Sequence, residues 1–245
     1  MTETTASTPE PTSTGHLRRE RLLASRLYVC TDLQRFLTRT APDGEESEPV
    51  DRLDLDALRE FYVEAFTGGV DIIQVRDKRV AVQAEIAALT LLKQVADEYG
   101  GLSAANDRAD LALVTGVDVF HMGQEDLSTE QARSVLGDDV VIGRSCRSFE
   151  QVQEADSDIG IDYYCTGPVW ETPTKPDRAA VGLELPRRAA ALESAKPFFA
   201  IGGVDAQNLD QVTGAGADRV VVVRAVAQAE DVSAAARRLR EQLPA

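Results

Sequence analysis

A chain of 245 residues, 43% of them apolar, is long enough for one large α/β domain with a sizeable core. Only 5% are aromatic, so that core is expected to be mostly aliphatic. The net charge of −15 argues against a nucleic-acid surface, which needs clustered cations, and no run approaches the ~20 apolar residues of a membrane helix.

Residues 1–25 are rich in Thr, Ser, Pro and Glu, with a charged patch at Arg18 to Arg21. This composition predicts a disordered or weakly helical tail, one whose removal leaves the rest unaffected. No basic start followed by an apolar block marks a secretory signal. The three cysteines, Cys30, Cys146 and Cys165, are scattered and odd in number, which points to a reducing cytoplasm rather than a disulfide framework.

From Leu27 onward, short apolar runs alternate with amphipathic stretches of helical period. The strand-like runs are 27–31, 70–75, 102–105, 118–122, 140–143, 163–166, 198–201 and 219–223. The helix-like stretches are 53–66, 82–99, 109–115, 129–136, 149–155, 185–192, 206–213 and 232–243. Eight strands, each followed by a helix, predict an α/β fold of one domain over 26–245, a closed (β/α)8 TIM barrel. The polar, acidic segment 35–52 is longer than a usual βα loop and is expected to be a flexible insertion after the first strand.

In such a barrel the reactive residues lie after the strands, at their C-terminal ends. After the second run comes Gln74-Val-Arg76-Asp-Lys78, whose alternation places an amide and two cations on one side; this suits a diphosphate, and taken alone it equally suits a solvated strand terminus with ordinary surface charge. After the third and fourth come Asn106-Asp107-Arg108 and His121-Met-Gly-Gln-Glu-Asp126. Asp107 and Asp126 on neighbouring strand ends suit Mg2+, which takes one or two carboxylates and fills its octahedron with water and phosphate oxygens. Taken singly, Asp107 could equally cap a helix and Asp126 open a turn. His121 has no metal-spaced partner and reads as structural.

The fifth run leads into Gly143-Arg144-Ser145-Cys146-Arg147. No Asp–His pair is evident to activate Ser145, so a hydrogen bond to substrate is its expected role, and Cys146 lacks the signature of a catalytic thiol. The sixth leads into Gly167-Pro-Val-Trp-Glu-Thr172-Pro-Thr174-Lys175, a proline-stiffened loop with two hydroxyls and an amine. After the seventh and eighth come Ile201-Gly202-Gly203 and Val223-Arg224, where this fold commonly binds phosphate.

Six of these segments, in order and each at the matching strand end, resemble the thiamine-phosphate synthase family, over Leu27 to about Ala229. The resemblance implies that Gln74, Arg76, Lys78, Asn106 and Ser145 bind an aminopyrimidine diphosphate, with Lys175 also on the diphosphate. It implies that Asp107 and Asp126 bind Mg2+, and that Thr172, Thr174, Gly202, Gly203, Val223 and Arg224 hold a thiazole phosphate. Arg76, Ser145 and Lys175 would carry the catalytic part, by stabilising a departing diphosphate rather than by nucleophilic attack. The implied partners are thus two small molecules, with no nucleic acid and no membrane; a homo-oligomer is left open.

Two positions depart from the family pattern: Arg147 stands where a histidine is common, and Arg224 where a serine is common. A related thiazole tautomerase on the same barrel is the nearest rival, but it is associated with a histidine at about the place of Arg147. A silent barrel that only binds a thiamine precursor is the other rival, and the two aspartates speak against it.

Overall fold

The computed structural model describes residues 13–40, 50–172 and 179–244. The strands are β1 (Leu27–Thr31), β2 (Leu37–Thr40), β3 (Val50–Leu53), β4 (Ile72–Val75), β5 (Leu102–Asn106), β6 (Val119–Met122), β7 (Val141–Cys146), β8 (Tyr163–Thr166), β9 (Phe198–Ile201) and β10 (Val220–Val222). The helices are α1 (Thr14–Ala24), α2 (Leu55–Thr67), α3 (Val82–Tyr99), α4 (Ala109–Thr115), α5 (Thr129–Leu136), α6 (Phe149–Ser157), α7 (Glu184–Ala190), α8 (Leu209–Gly214), α9 (Arg224–Ala227) and α10 (Val232–Gln242).

Eight strands close a parallel barrel in the order β1-β10-β9-β8-β7-β6-β5-β4, with β1 paired to both β4 and β10. The predicted (β/α)8 barrel is therefore the fold. Side chains alternate between two cores because successive residues of a strand face opposite ways. Ile73, Val75, Ile142 and Val222 point outward against the helices in a mainly aliphatic layer. Tyr28, Ile72, Leu102, Val119, Val141, Tyr163, Phe199 and Val221 fill the barrel itself. Here the aliphatic expectation fails locally. Phe199 meets Tyr28 and Tyr163 edge-on, at centroid distances of 5.7 and 5.6 Å, so three of the few aromatic rings are concentrated on the axis.

Residues 14–24 correct the reading of 1–25 as a weakly ordered tail. They form a helix, capped by Ser13, that lies across the N-terminal ends of the strands. Arg18 Nε reaches Asp118, just before β6, at 2.8 Å, and Arg19 Nε reaches Asp162, just before β8, at 2.7 Å. Leu22 is buried with the interior residues of the barrel. Composition missed this docking because one buried leucine and two arginines carry it. The segment 35–52 is also more ordered at its edges than expected: β2 and β3 pair antiparallel, Leu37 opposite Leu53. Residues 41–49 between them lie outside the described residues.

Among the described residues, no helix is long and apolar enough to cross a membrane.

Candidate active site

The loops at the C-terminal strand ends enclose a cavity of about 310 Å³ whose lining includes Gln74, Arg76, Asn106, Ser145, Thr172, Gly202, Gly203, Val223 and Arg224. A smaller cleft adjoins it, lined by Lys78, Asp107, Asp126 and Arg147 among others. Arg76, Asn106, His121 and Ser145 border both. Every sequence-predicted site residue among the described ones therefore lies on one of two abutting recesses. Thr174 and Lys175 lie outside the described residues.

Gln74 is inward-facing on β4 and buried, while Arg76 and Lys78 follow it into the loop. Asp77, between them, faces away from the recess and organises the loop. Its Oδ2 accepts from Leu33 N–H at 3.0 Å and Gln34 Nε2 at 2.7 Å, and its Oδ1 accepts from Arg79 N–H at 2.8 Å. Burial alone would raise this carboxyl, but those donors outweigh it and hold its pKa below the ordinary value. Sequence reading passed over Asp77, although an acid between two cations in a loop signals an anchor.

Asp107 does not cap α4; the cap position is Arg108, and it makes no side-chain cap bond. Asp107 instead adopts a left-handed backbone with φ of 58°, uncommon for a residue other than glycine. Its carboxylate meets Lys78 Nζ at 3.0 Å and interacts electrostatically with the neighbouring Asp126 carboxyl. Asp126 does close a turn, accepting from Gly123 N–H at 2.6 Å, so it serves local structure and the recess together. Burial and the Asp107 charge push Asp126 upward in pKa against the pull of the Gly123 amide. For Asp107, burial is outweighed by Lys78 and Asp126, and its pKa falls.

This donor set can be tested against Mg2+. Two carboxyl groups held so close repel when both are ionised, and a divalent cation would relieve that. Among the described residues no group of three or more His, Cys, Asp or Glu could hold a metal, so most of an octahedron would fall to water and substrate oxygens. That is the usual habit of Mg2+ and the residues fit it. Arg76, Lys78 and Arg147 around the same cleft supply further positive charge inside an acidic protein.

Across the recess, Gly202 and Gly203 turn the chain with φ of 106° and 71°, where other L-residues are strained. A Cβ at Gly202 would lie 2.5 Å from the Pro168 backbone, so close approach as well as conformation demands glycine. Asn208 Nδ2 donates to Gly203 O at 2.8 Å and its Oδ1 accepts from Asp205 N–H at 3.0 Å, which braces the turn. Nothing in the sequence distinguished Asn208 from any polar helix-start residue.

His121, expected from the sequence to be structural, bridges two inward-facing side chains. Its Nε2 lies 2.9 Å from Ser145 Oγ and its Nδ1 lies 3.0 Å from the Tyr163 hydroxyl. Alternation along 118–122 could have placed it inward, on the same side as the site. Cys146, by contrast, faces the helices, fully buried, with its thiol donating to Gln151 O at 3.3 Å. Burial pushes its pKa up to about 12, so it stays a thiol at neutral pH.

Known proteins resemble this chain over most of its length. A family model described as thiamine monophosphate synthase matches residues 50–226. A thiamine-phosphate synthase from Thermobifida fusca is 47% identical over 227 residues, covering 93% of this chain and 96% of the relative. One from Mycolicibacterium gilvum is 44% identical over 252 residues, covering 99% and 94%. The solved structure of thiamine phosphate pyrophosphorylase from Pyrococcus furiosus superposes with a TM-score of 0.73 at 32% identity, covering 91% of this chain and 96% of that one. With the barrel, the ordered motifs and relatives matching over nearly their whole length, the chain belongs to the thiamine monophosphate synthase family.

Proposed function

We propose that this protein is a Mg2+-dependent thiamine-phosphate synthase, a transferase that joins 4-amino-2-methyl-5-(diphosphooxymethyl)pyrimidine to 4-methyl-5-(2-phosphooxyethyl)thiazole and releases diphosphate. The observation that carries the reading is the pair of abutting recesses. One gathers Arg76, Lys78 and Arg147 around two aspartates; the other ends on the Gly202–Gly203 turn; and Ser145 borders both. Two phosphorylated ligands could thus meet at one point with their anionic ends apart.

In this reading the C–O bond between the pyrimidine methylene and the diphosphate breaks first, and the electron pair leaves with the diphosphate. The thiazole nitrogen then donates its lone pair to the methylene cation, forming the C–N bond of thiamine phosphate. No proton need move, which suits a site without an activated nucleophile. Arg76, Lys78 and Ser145, with Lys175, would offer charge and donors to the departing group, and Gln74 and Asn106 would orient the pyrimidine. Asp107 and Asp126 would hold Mg2+, which when bound supplies positive charge for the diphosphate oxygens. Thr172, Thr174, Gly202, Gly203, Val223 and Arg224 would hold the thiazole phosphate.

The test is incubation with both substrates and Mg2+, followed by oxidation of the product to its fluorescent derivative. Formation of thiamine phosphate that needs both substrates and the metal supports the reading. No product, or product unaffected by chelation, overturns it or its metal requirement.

A further inference from the structure

We infer that Tyr28, Tyr163 and His121 form a directional hydrogen-bond relay inside the barrel that obliges Ser145 to act as a donor into the recess. They are positioning residues for the proposed reaction, and the inference about function rests on that reading, although the direction of the relay does not.

The direction inferred for the relay starts from the orientation of the Gln74 amide. The Cys30 thiol donates to Gln74 Oε1 at 3.3 Å, so the Gln74 amide turns its nitrogen toward Tyr28, whose oxygen lies 2.7 Å from Nε2. Tyr28 therefore accepts from Gln74, and its single proton is available for the Tyr163 oxygen, 3.3 Å away. Tyr163 accepts that proton and directs its own to His121 Nδ1 at 3.0 Å. With Nδ1 accepting, the neutral imidazole carries its proton on Nε2, and this proton points at Ser145 Oγ at 2.9 Å. Ser145 Oγ is thus already an acceptor on one side, and its own proton is left to the recess. A diphosphate oxygen only accepts hydrogen bonds, so a serine locked as donor is the form that can bind it.

The environment preserves this arrangement. Both tyrosines are fully buried, and burial raises their pKa values well above the ordinary phenol value, so each keeps its proton. Gly143 leaves room for the Tyr163 ring, since a Cβ there would lie 2.0 Å from its Cζ. Phe199 packs edge-on against both rings and fixes their planes.

The chain has only two histidines, His16 and His121, so the relay can be read without turnover. Protein labelled with 15N-histidine, at mildly alkaline pH, should show His121 as the Nε2–H tautomer; His16→Asn, at an exposed position, assigns the signals. Tyr163→Phe should shift that signal by removing the donor to Nδ1, while the ring and its packing remain. An Nδ1–H tautomer in the folded wild type would overturn the inference whatever the protein catalyses. On turnover, Tyr28→Phe and Tyr163→Phe should each lower kcat/KM for the pyrimidine diphosphate roughly tenfold, and in combination no further than the worse single variant. In a Ser145→Ala background either change should have little added effect. Losses that multiply, or that persist without Ser145, would mean packing rather than a relay. Absence of any wild-type product would instead count against the proposed activity, and the tautomer would still decide the relay.

Discussion

Arg18 and Asp118 meet at 2.8 Å beneath the barrel floor, joining α1 to the start of β6. The Asp118 side chain is only 5% exposed, and its other oxygen accepts from the Ser103 amide and hydroxyl at 3.1 and 2.7 Å. Arg18→Ala would leave this buried carboxylate with Lys93 Nζ at 3.4 Å as its remaining cation among the described residues. A loss of about 1–3 kcal/mol is expected, less than for a pair with no second cation. Thermal melts should show Tm falling by several degrees for Arg18→Ala and further on deletion of residues 1–24, which also uncovers the site of Leu22. Turnover at low temperature should survive both changes, because the floor lies opposite the recess. An unchanged Tm after the deletion would restore the view of this segment as an idle tail.

The contrast between this helix and the barrel shows what the sequence made legible. The eight strand-like runs coincide with the eight barrel strands, because fully buried parallel strands leave unbroken β-branched and aliphatic runs. The motifs that line the two recesses were legible because the loops after the strands gather at one end of the barrel. What did not show were partnerships that leave no local pattern. Leu22, Asp77, Asn208 and the Tyr28–Tyr163 contact each depend on a residue distant in sequence or on a turn whose shape the sequence does not spell out. The His121–Ser145 contact was hidden for the same reason: Ser145 lies 24 residues away and meets His121 only when β6 and β7 pair.

Asp77 gives a prediction with a pH signature. Both of its oxygens accept from N–H donors, so an asparagine would have to turn its own N–H2 toward one of them. Asp77→Asn should cost about 1–3 kcal/mol at neutral pH and lower turnover by displacing Arg76 and Lys78. Because the folded pKa of Asp77 lies below its unfolded value, its stabilisation is present above the unfolded pKa and is lost as pH falls through the folded one. The stability gap between variant and wild type should therefore narrow as pH drops below about 4. Denaturant melts from neutral to acidic pH measure this, and a gap that widens in acid would contradict the hydrogen-bond account.

The Asp107–Asp126 pair predicts opposite effects with and without metal. Asp126 has a raised pKa in the fold, so its ionisation at neutral pH weakens the metal-free protein. Asp126→Asn should leave Tm unchanged or slightly higher in the presence of a chelator. With millimolar Mg2+ and diphosphate, the wild type should gain stability and the variant should not, by the linkage of binding to folding. Asp107→Asn should abolish the same gain and also free Lys78. Turnover should drop by at least about a hundredfold in both, since so few protein groups could hold the ion. Equal Mg2+ stabilisation of wild type and Asp126→Asn would remove the metal role from this pair.

Arg224 offers the last test. It opens α9 and lines the recess beside the Gly202–Gly203 turn, but its side chain is exposed. Exposure sets the magnitude. A buried guanidinium–phosphate contact would change affinity ten- to a hundredfold, whereas a solvated one contributes about 1 kcal/mol or less, roughly fivefold. Arg224→Ser should therefore raise KM for the thiazole phosphate by about three- to fivefold at low salt and leave KM for the pyrimidine diphosphate unchanged. In a protein of net charge −15, the arginine also reverses the field locally for an arriving anion, so the ratio between variant and wild type should shrink toward one as salt shortens the Debye length. Arg224→Lys keeps the charge but loses the planar fork, and it should fall near wild type if the contribution is long-range and near Arg224→Ser if it is bidentate contact. Steady-state kinetics for the three proteins at two salt concentrations distinguish these outcomes. An identical KM for the thiazole phosphate across all three at low salt would leave phosphate binding to the backbone of the Gly202–Gly203 turn and Val223 alone.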